Sequence, residues 1–296
     1  MLDKKEKKKA SVIIPTLNRP EQVYQLANSL MLLNSLEELI IVDQSPEPNL
    51  KLEILSQKDP RIKIIRSARK GSPHAKNIGA KEAEGDILIF LDDDVEVHGD
   101  IINAHIKAYS DPSIGAVGGR VKEEYVKKIP CRYVGKVRLL SVRVWGHYDC
   151  KKRQFIDTTP GGNMSIRKEL FQNLGGFDEG FLGNAFFEET DLCLRLKKRG
   201  YKILFEPDAL ISHFRVAFGG NRVDQINFYF WFFANNTRLF LKLYSHFLFP
   251  FYFFLQTLRI IKLTLENRSF GFFKAGIKGL CYSIKNNPSK FKAKRN

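Results

Sequence analysis

Short apolar runs alternate with helix-like segments from residue 10 to about residue 121. The runs are continuous rather than alternating, which is typical of strands in a parallel sheet covered by helices on both faces. The pattern predicts strands at "SVIIP", "LIIVD", "RIKIIR" and "DILIFLD", and another at 114–121. Helices are predicted from about Pro20, at 49–57 and at 72–84. This β-α order predicts a Rossmann-like α/β layer.

Polar clusters follow three of the predicted strands: "PTLNR", "VDQS" and "LDDD". Ligands of such sheets bind outside the carboxyl ends of the strands, so these clusters favour a binding site. Asp92, Asp93 and Asp94 offer hard oxygen ligands that suit Mg²⁺ or Mn²⁺ with a substrate diphosphate. The alternative for the triplet is an exposed acidic turn. Asp43 is either a turn former or an acceptor for a base or a sugar ring.

A second acidic group lies in "FFEETDLCLRLKKRGY", residues 186–201. Glu188, Glu189 and Asp191 open a predicted amphipathic helix that stops at Gly200. Acidic residues favour helix starts for purely structural reasons. The functional alternative makes one of these carboxylates a general base for an acceptor hydroxyl.

Basic charge is concentrated at the ends of this chain of net charge +16. Residues 1–9 carry +3 and residues 222–296 carry +11, so the body between them is nearly neutral. Residues 228–254 hold 14 aromatic side chains, far more than a nucleic-acid arm would carry, and the sequence therefore favours a membrane surface over nucleic acid.

The longest uncharged run, Leu243–Leu258, has 16 residues. A spanning helix needs about 20 apolar residues, so we expect peripheral contact through residues 228–262. The alternative is that these aromatics complete the globular core or a dimer interface. The four cysteines show no metal-type spacing, and no signal peptide is visible. We therefore expect four reduced thiols in a cytoplasmic protein, located at the cytoplasmic face of the membrane.

Taken in order, "SVIIPTLNR", "IIVDQS", "HAKNIGA", "GDILIFLDDDV", "GGNMSIRKELFQNLGGFDE" and "FEETDLCLRLKKRGYKI" resemble a family 2 glycosyltransferase of the GT-A fold over about residues 10–215. The implied fold class is α/β, a Rossmann-like mixed sheet with a parallel nucleotide-binding half and a C-terminal helical region rich in aromatic and basic residues. We expect a domain at 10–221, with nucleotide-binding and acceptor halves that meet near residue 121. An interfacial extension follows at 222–296.

The resemblance also implies site residues. Those expected at the nucleotide sugar are Pro15, Thr16, Arg19, Asp43, Lys76, Asp92, Asp93, Gly162 and Asn163, with Gly161 beside them. The aspartates correspond to the DXD motif, and either Asp92 or Asp93 is expected at the ribose. Asp94, Asp92 and His213 are the expected ligands of Mn²⁺ or Mg²⁺. Lys76 stands where the family usually has Arg, which keeps the charge but removes the bidentate fork.

The family's base is usually the Asp of a Glu-Asp pair, and Glu189 occupies that position here. Asp191 is the alternative base, and Glu188 is the third catalytic candidate. The implied reaction is inverting transfer from a UDP- or dTDP-linked sugar to a hydroxyl acceptor. We expect this acceptor to be lipid-linked and the reaction to belong to cell-surface polysaccharide or glycolipid assembly. The competing functions are a sugar-nucleotide-forming nucleotidyltransferase, although "PTLNRPEQ" lacks its glycine-rich loop, and a catalytically silent membrane-associated sugar-binding scaffold.

Overall fold

A computed structural model describes most of the chain: residues 8–122, 130–138, 141–214, 218–220, 223–244 and 246–286. The strands in these ranges are β1 (Ala10–Thr16), β2 (Glu38–Asp43), β3 (Ile62–Arg66), β4 (Ile87–Leu91), β5 (Val95–His98), β6 (Ile114–Lys122), β7 (Lys136–Arg138), β8 (Arg143–Trp145), β9 (Gln154–Ile156), β10 (Asn163–Arg167) and β11 (Lys202–His213). The α-helices are α1 (Pro20–Met31), α2 (Leu50–Lys58), α3 (Ser72–Glu82), α4 (Ile101–Ala108), α5 (Lys168–Asn173), α6 (Glu188–Lys198), α7 (Gln225–Leu243), α8 (Phe249–Glu266) and α9 (Phe270–Lys285).

The central sheet has the strand order β3-β2-β1-β4-β10-β6-β11-β5, and β9 pairs with β11. Strands β1 to β4 are mutually parallel and form the half predicted from the sequence. β10 runs antiparallel to both β4 and β6, so the sheet as a whole is mixed. The parallel half therefore brings the ends of β1, β2 and β4 to one edge.

Both faces of the parallel half are buried, because side chains of one strand point alternately to two different cores. Val12 and Ile14 join the cluster under α1, α2 and α4, whereas Ile13 packs with residues of α3, α5 and α6. All three are fully buried. Burial of each side chain stabilises the fold by about 1.5–3 kcal/mol relative to an exposed position. Strands buried on both faces therefore need apolar residues at successive positions, which is why the continuous apolar runs predicted these strands correctly.

Of the strands that complete the sheet, β6 was predicted at 114–121, and the others were not. β5 follows Asp94 directly, and β10 and β11 lie beyond residue 121, where the apolar pattern weakens. Their pairing is long-range: His213 of β11 lies opposite Val95 of β5, and Asn163 of β10 opposite Leu91 of β4. These two registers place the end of β11 beside Asp94 and the start of β10 beside Asp92.

The described residues 130–138 and 141–157 include the antiparallel pair β7–β8 and the strand β9, which pairs with β11. Cys131 and Cys150 form a disulfide there, with Cα atoms 5.4 Å apart. The expectation of four reduced thiols is therefore wrong for this pair, and only Cys193 and Cys281 are free. A separation of 19 residues carries no local signal, since the fold of the hairpin region brings the two cysteines together. Cysteine usage consequently no longer supports a cytoplasmic location.

The C-terminal helices α7, α8 and α9 share a third apolar cluster with the α/β domain. Phe233, Phe240 and Tyr252 of the aromatic segment are buried against Phe181 and Phe187. Part of the aromatic segment thus completes the core, as one of the two sequence interpretations proposed. Within the described ranges, no helix combines the length and the hydropathy needed to cross a bilayer.

One face of α8 is nonetheless apolar and exposed. Its large side chains recur at helical spacing and are Phe251, Phe254, Leu258, Ile261 and Leu265, with exposures of 53%, 58%, 48%, 40% and 71%. We call these five residues the α8 stripe. Such a stripe is typical of a helix that lies on another surface.

Asp178 connects α7 to the α/β domain. Its carboxylate accepts hydrogen bonds from the Arg238 guanidinium at 2.8–3.1 Å and from Lys242 Nζ at 2.8 Å. Burial alone would raise the pKa of Asp178, but these two cations hold it well below its usual range. Lys242 Nζ also lies 2.6 Å from Asp191 in α6.

We expect Asp178→Ala to lower the free energy of unfolding by about 2 kcal/mol, because it leaves two largely buried cations without this partner. Chemical denaturation monitored by circular dichroism measures the change. The matched control is Glu21→Ala, which breaks an ion pair with Lys51 whose side chains are more than half exposed, and should cost less than about 1 kcal/mol. Equal losses for the two variants would contradict the role assigned to Asp178.

Candidate active site

A cavity of about 870 Å³ lies at the carboxyl ends of the parallel strands. Most of the residues predicted from the sequence line it: Pro15, Thr16, Arg19, Lys76, Asp92, Asp93, Asp94, Gly161, Gly162, Glu188, Glu189 and His213. The two acidic groups, which are almost 100 residues apart in the chain, therefore meet at one cavity.

Cationic and hydroxyl groups surround the aspartates that end β4. Arg19 Nη1 donates to Asp93 at 2.7 Å and lies 3.0 Å from Asp94 Oδ2. Thr16 Oγ1 donates to the other oxygen of Asp93 at 2.7 Å. Burial raises the pKa of Asp93 to about 6, although Arg19 opposes the shift. The triplet is therefore not an exposed acidic turn, since Asp93 and Asp94 are almost fully buried.

Asp92, Asp94 and His213 form a cluster that could hold a metal ion. One potential ligand atom from each lies within 4.8 Å of the other two. The β5–β11 register makes this possible, because it places His213 opposite the residue after Asp94, and His213 Nε2 lies 3.0 Å from Asp94 Oδ1. Two carboxylates with an imidazole are a donor set that suits Mn²⁺.

Gly162 lies against Asp92 because β10 runs beside β4. The Asp92 amide donates to the Gly162 carbonyl at 3.2 Å. A Cβ at Gly162 would come within 2.2 Å of Asp92 Oδ2, whereas a Cβ at Gly161 would meet nothing closer than Glu189 Oε2 at 3.5 Å. Glycine at position 162 thus leaves the space that the Asp92 carboxylate occupies.

Helix α6 presents Glu188 and Glu189 to the cavity from its first turn. Phe187, just before the helix, has φ = 73°, a left-handed conformation that aromatic residues seldom adopt.

Glu188 Oε1 accepts hydrogen bonds from Lys76 Nζ at 2.6 Å and from Ser72 Oγ at 3.2 Å. Lys76 also donates to the Gly161 carbonyl at 3.0 Å. Burial would lower the pKa of Lys76, but the carboxylates of Glu188 and Asp92 raise it, so the lysine stays charged.

Glu189 has no cationic partner at hydrogen-bond distance among the described residues. Its carboxylate accepts a hydrogen bond from Thr190 Oγ1 at 3.3 Å. Burial and the neighbouring charge of Glu188 raise the pKa of Glu189 to about 7. A carboxylate with this pKa can take up a proton near neutral pH.

The structure does not bring three predicted residues to the cavity wall. Asp191 points away from it and pairs with Arg195 at 2.8 Å and with Lys242. Its position in α6 explains this, because successive helical residues face different sides.

Asn163 is fully buried, and its amide donates to the carbonyls of Arg120 and Ala209 and accepts from His105. A position in the β4–β10–β6 core, rather than at the strand edge, accounts for these contacts. Asp43 forms an ion pair with Arg66 and accepts from the Ser45 amide at 2.9 Å. These contacts hold Asn163 inside the sheet, and each carboxylate oxygen of Asp43 already has one partner in the protein.

Other cavity residues carry no motif in the sequence. The hairpin region contributes Arg143, His147 and Tyr148, and the C-terminal helices contribute Phe228, Phe232 and Arg259. Their elements are distant along the chain, so only the packing of α7 and α8 on the domain reveals them. The cavity therefore has one polar side with acidic clusters and another side with aromatic and cationic groups.

The sequence model of glycosyl transferase family 2 matches residues 11–175, which is more than half of the chain. The probable glycosyltransferase YdaM of Bacillus subtilis is 28% identical over 218 residues, which cover 70% of this chain and 50% of that relative. The O-antigen biosynthesis protein RfbC of Myxococcus xanthus is 26% identical over 235 residues, which cover 74% of this chain and 18% of that protein. The chain thus spans half or less of the length of these relatives.

A crystal structure of GalNAc-T7 with UDP, GalNAc and Mn²⁺ matches the fold with a TM-score of 0.65 at 19% identity, and the match covers 95% of this chain and 58% of that chain. At this identity the likeness concerns the fold alone. It confirms the GT-A fold class predicted from the sequence.

We expect Gly162→Ala to weaken Mn²⁺ binding by about tenfold or more, because the added methyl group displaces the carboxylate of Asp92 and misplaced metal ligands bind poorly. Titration of Mn²⁺ monitored by electron paramagnetic resonance measures the affinity. Gly161→Ala is the matched control, since its methyl group makes only ordinary contacts. Equal Mn²⁺ affinity in the two variants would exclude Asp92 from the metal site.

Proposed function

The chain belongs to glycosyl transferase family 2, and on that premise we propose that it transfers a sugar from a nucleoside-diphosphate donor to a hydroxyl acceptor with inversion at the anomeric carbon. One observation carries the proposal: Glu189 and the cluster of Asp92, Asp94 and His213 line the same cavity. A base and a diphosphate site that face each other are what a single displacement requires.

The donor would bind at the polar side of the cavity. Pro15, Thr16 and Arg19 line it at the end of β1 and would border the nucleotide, which we propose is UDP or dTDP. Asp92, Asp94 and His213 would hold Mn²⁺ or Mg²⁺, and such an ion neutralises a departing diphosphate. The presence of UDP and Mn²⁺ in the GalNAc-T7 structure supports this assignment.

Glu189 would act as the base. Its carboxylate would remove the proton of the acceptor hydroxyl while that oxygen forms a bond to the anomeric carbon. The bond from this carbon to the phosphate oxygen breaks, and the diphosphate leaves with the electron pair. Asp191 is less suited, because Arg195 and Lys242 hold it away from the cavity.

Lys76 and Glu188 would position groups rather than transfer protons. Their ion pair is almost completely buried, so it fixes the start of α6 beside the cavity. Oε2 of Glu188 is buried and has no hydrogen-bond partner within the described part of the chain. A hydroxyl group of the substrate would provide one, which supports a role for Glu188 in orienting the sugar or the acceptor.

The C-terminal helices would place the enzyme on a membrane surface, where a lipid-linked acceptor is available. The α8 stripe gives this contact a specific apolar face, and the +11 charge of residues 222–296 would attract anionic lipids. The RfbC relative's name, O-antigen biosynthesis protein, supports a role in polysaccharide assembly.

We expect kcat/KM for sugar transfer to rise with pH and to level off above about 7, because Glu189 must be deprotonated to act and its pKa is raised to that value. Below the pKa the rate should fall about tenfold per pH unit. Release of nucleoside diphosphate at saturating Mn²⁺, with a panel of nucleotide sugars, measures this profile.

Glu189→Gln should lower the rate by about 100-fold to 10,000-fold and remove the dependence on pH near 7. Its control is Glu169→Gln, an exposed carboxylate on α5 outside the cavity, which should keep the wild-type profile. Because Asp93 also titrates near pH 6, Mn²⁺ binding is measured over the same range to separate the two effects.

A protein that binds nucleotide sugars but never turns them over would instead be a sugar-binding scaffold.

We expect the triple change Phe251→Ser, Phe254→Ser and Leu258→Ser to reduce binding to vesicles of anionic phospholipid by more than about tenfold. Burial of even one large apolar side chain contributes about 1.5–3 kcal/mol, so the loss of three should dominate the partition. Co-sedimentation with the vesicles measures the bound fraction.

The matched control removes three exposed apolar side chains elsewhere: Leu32→Ser, Leu50→Ser and Ile54→Ser, at positions with exposures of 84%, 67% and 53%. This control should bind vesicles as the wild type does. If the two triple variants bind equally well, the α8 stripe does not contact the membrane.

A further inference from the structure

A second cavity, of about 550 Å³, lies between the β7–β8 hairpin and α8. Its described lining is strongly basic: Arg138, Arg143, Arg259 and Lys262 are opposed by Glu266 alone. Lys262 Nζ lies 3.7 Å from Glu266, so this one acid is already shared with the lysine. The remaining charge at the cavity belongs to three arginines.

Arg143 and Arg259 line both cavities and therefore mark the boundary between them. The Arg259 guanidinium lies 4.6 Å from the centre of the Phe232 ring. Phe232 packs 5.5 Å from Phe187, the residue that precedes Glu188 in the chain. This series of contacts puts Arg259 on the α6 side of the main cavity, where the proposed base is located.

Arg143 and Arg259 lie at the same boundary, where their positive charges act on each other. Burial lowers the pKa of Arg259, and the nearby positive charge of Arg143 lowers it further. Among the residues that the structure describes, no carboxylate forms an ion pair with either side chain. Two positive groups at one boundary repel each other, and an anion bound by both would offset this repulsion.

We propose that Arg143 and Arg259 bind the phosphate group of an acceptor that carries it on an apolar chain. This inference rests on the proposed function and specifies its acceptor, whose reacting hydroxyl would belong to a different part of the molecule from this phosphate. Arginine recognises phosphate through paired hydrogen bonds. A phosphate monoester carries about −1.5 to −2 charges at pH 7, which matches two guanidinium groups better than a carboxylate does.

The surroundings of the pair suit the apolar part of such an acceptor. Phe233, Leu255 and Leu263 line the second cavity. Leu258 lines it as well and is also 48% exposed as a member of the α8 stripe. An alkyl chain bound along these side chains would therefore continue toward the face of α8 that we assign to the membrane.

Isothermal titration of the full-length protein with octyl phosphate tests the proposal. EDTA is included so that no metal site competes for the phosphate. We expect Arg143→Gln and Arg259→Gln each to weaken binding by about tenfold or more, since each removes a charge-assisted contact. Lys274→Gln is the matched control, because it removes one positive charge from an exposed position on α9 outside both cavities.

Two further ligands identify what is recognised. Octanoate has the same apolar character but a single charge, and inorganic phosphate has the charge without the chain. Both should bind at least about tenfold more weakly than octyl phosphate. Equal binding of octanoate would overturn the assignment to phosphate, and equal binding of inorganic phosphate would overturn the assignment to a lipid-linked acceptor.

Octyl phosphate affinity that is the same in the wild type, Arg143→Gln and Arg259→Gln would overturn the site itself. Arg143 is exposed, so its variant should fold, and thermal melting checks both variants. The measurement needs no donor and no turnover. A protein that binds octyl phosphate through the arginines but transfers no sugar would contradict only the proposed function, whereas transfer without this binding would contradict only the present inference.

Discussion

Negative charge accumulates at the end of β4, and the fold depends on groups that compensate for it there. Arg19 comes from the β1–α1 connection, Thr16 from the end of β1 and His213 from the end of β11. Like charges that are buried side by side would otherwise favour protonation or unfolding. The requirement links two distant segments, residues 16–19 and the end of β11, to one strand end. The diphosphate–metal site that we propose at this point would therefore use a charge arrangement that the protein already maintains.

The main cavity brings this acidic strand end and the start of α6 together, and their electrostatic environments differ. Burial raises the pKa of both carboxyl groups, but Glu188 forms an ion pair with the buried Lys76, whereas the pKa of Glu189 is also raised, to about 7, by the charge of Glu188. Two adjacent carboxylates thus have different properties, because only one of them has a cationic partner. The difference is the physical basis for giving one a positioning role and the other the role of a base.

Much of the parallel half was predictable, because continuous apolar runs report strands buried on both faces. The same logic located Thr16 and the aspartates at strand ends. Pairings between distant strands were not predictable from local pattern, and they decide that His213 approaches Asp94 and that Asn163 lies in the core. Arg143 and Arg259 were missed for a related reason: the residues are far apart in the chain and neither belongs to a motif. The disulfide of Cys131 and Cys150 likewise depends on how the hairpin region folds.

Lys242 bridges Asp178 in the α/β domain and Asp191 in the helix that carries Glu189. Helix α7 thus helps to hold the helix that carries the proposed base and is not a detachable module. Chimeras that exchange these helices between relatives to change the acceptor would have to retain this lysine and both aspartates. The segment that would have to be exchanged as one unit is then longer than residues 11–175, which the family's sequence model matches, and it extends through α7.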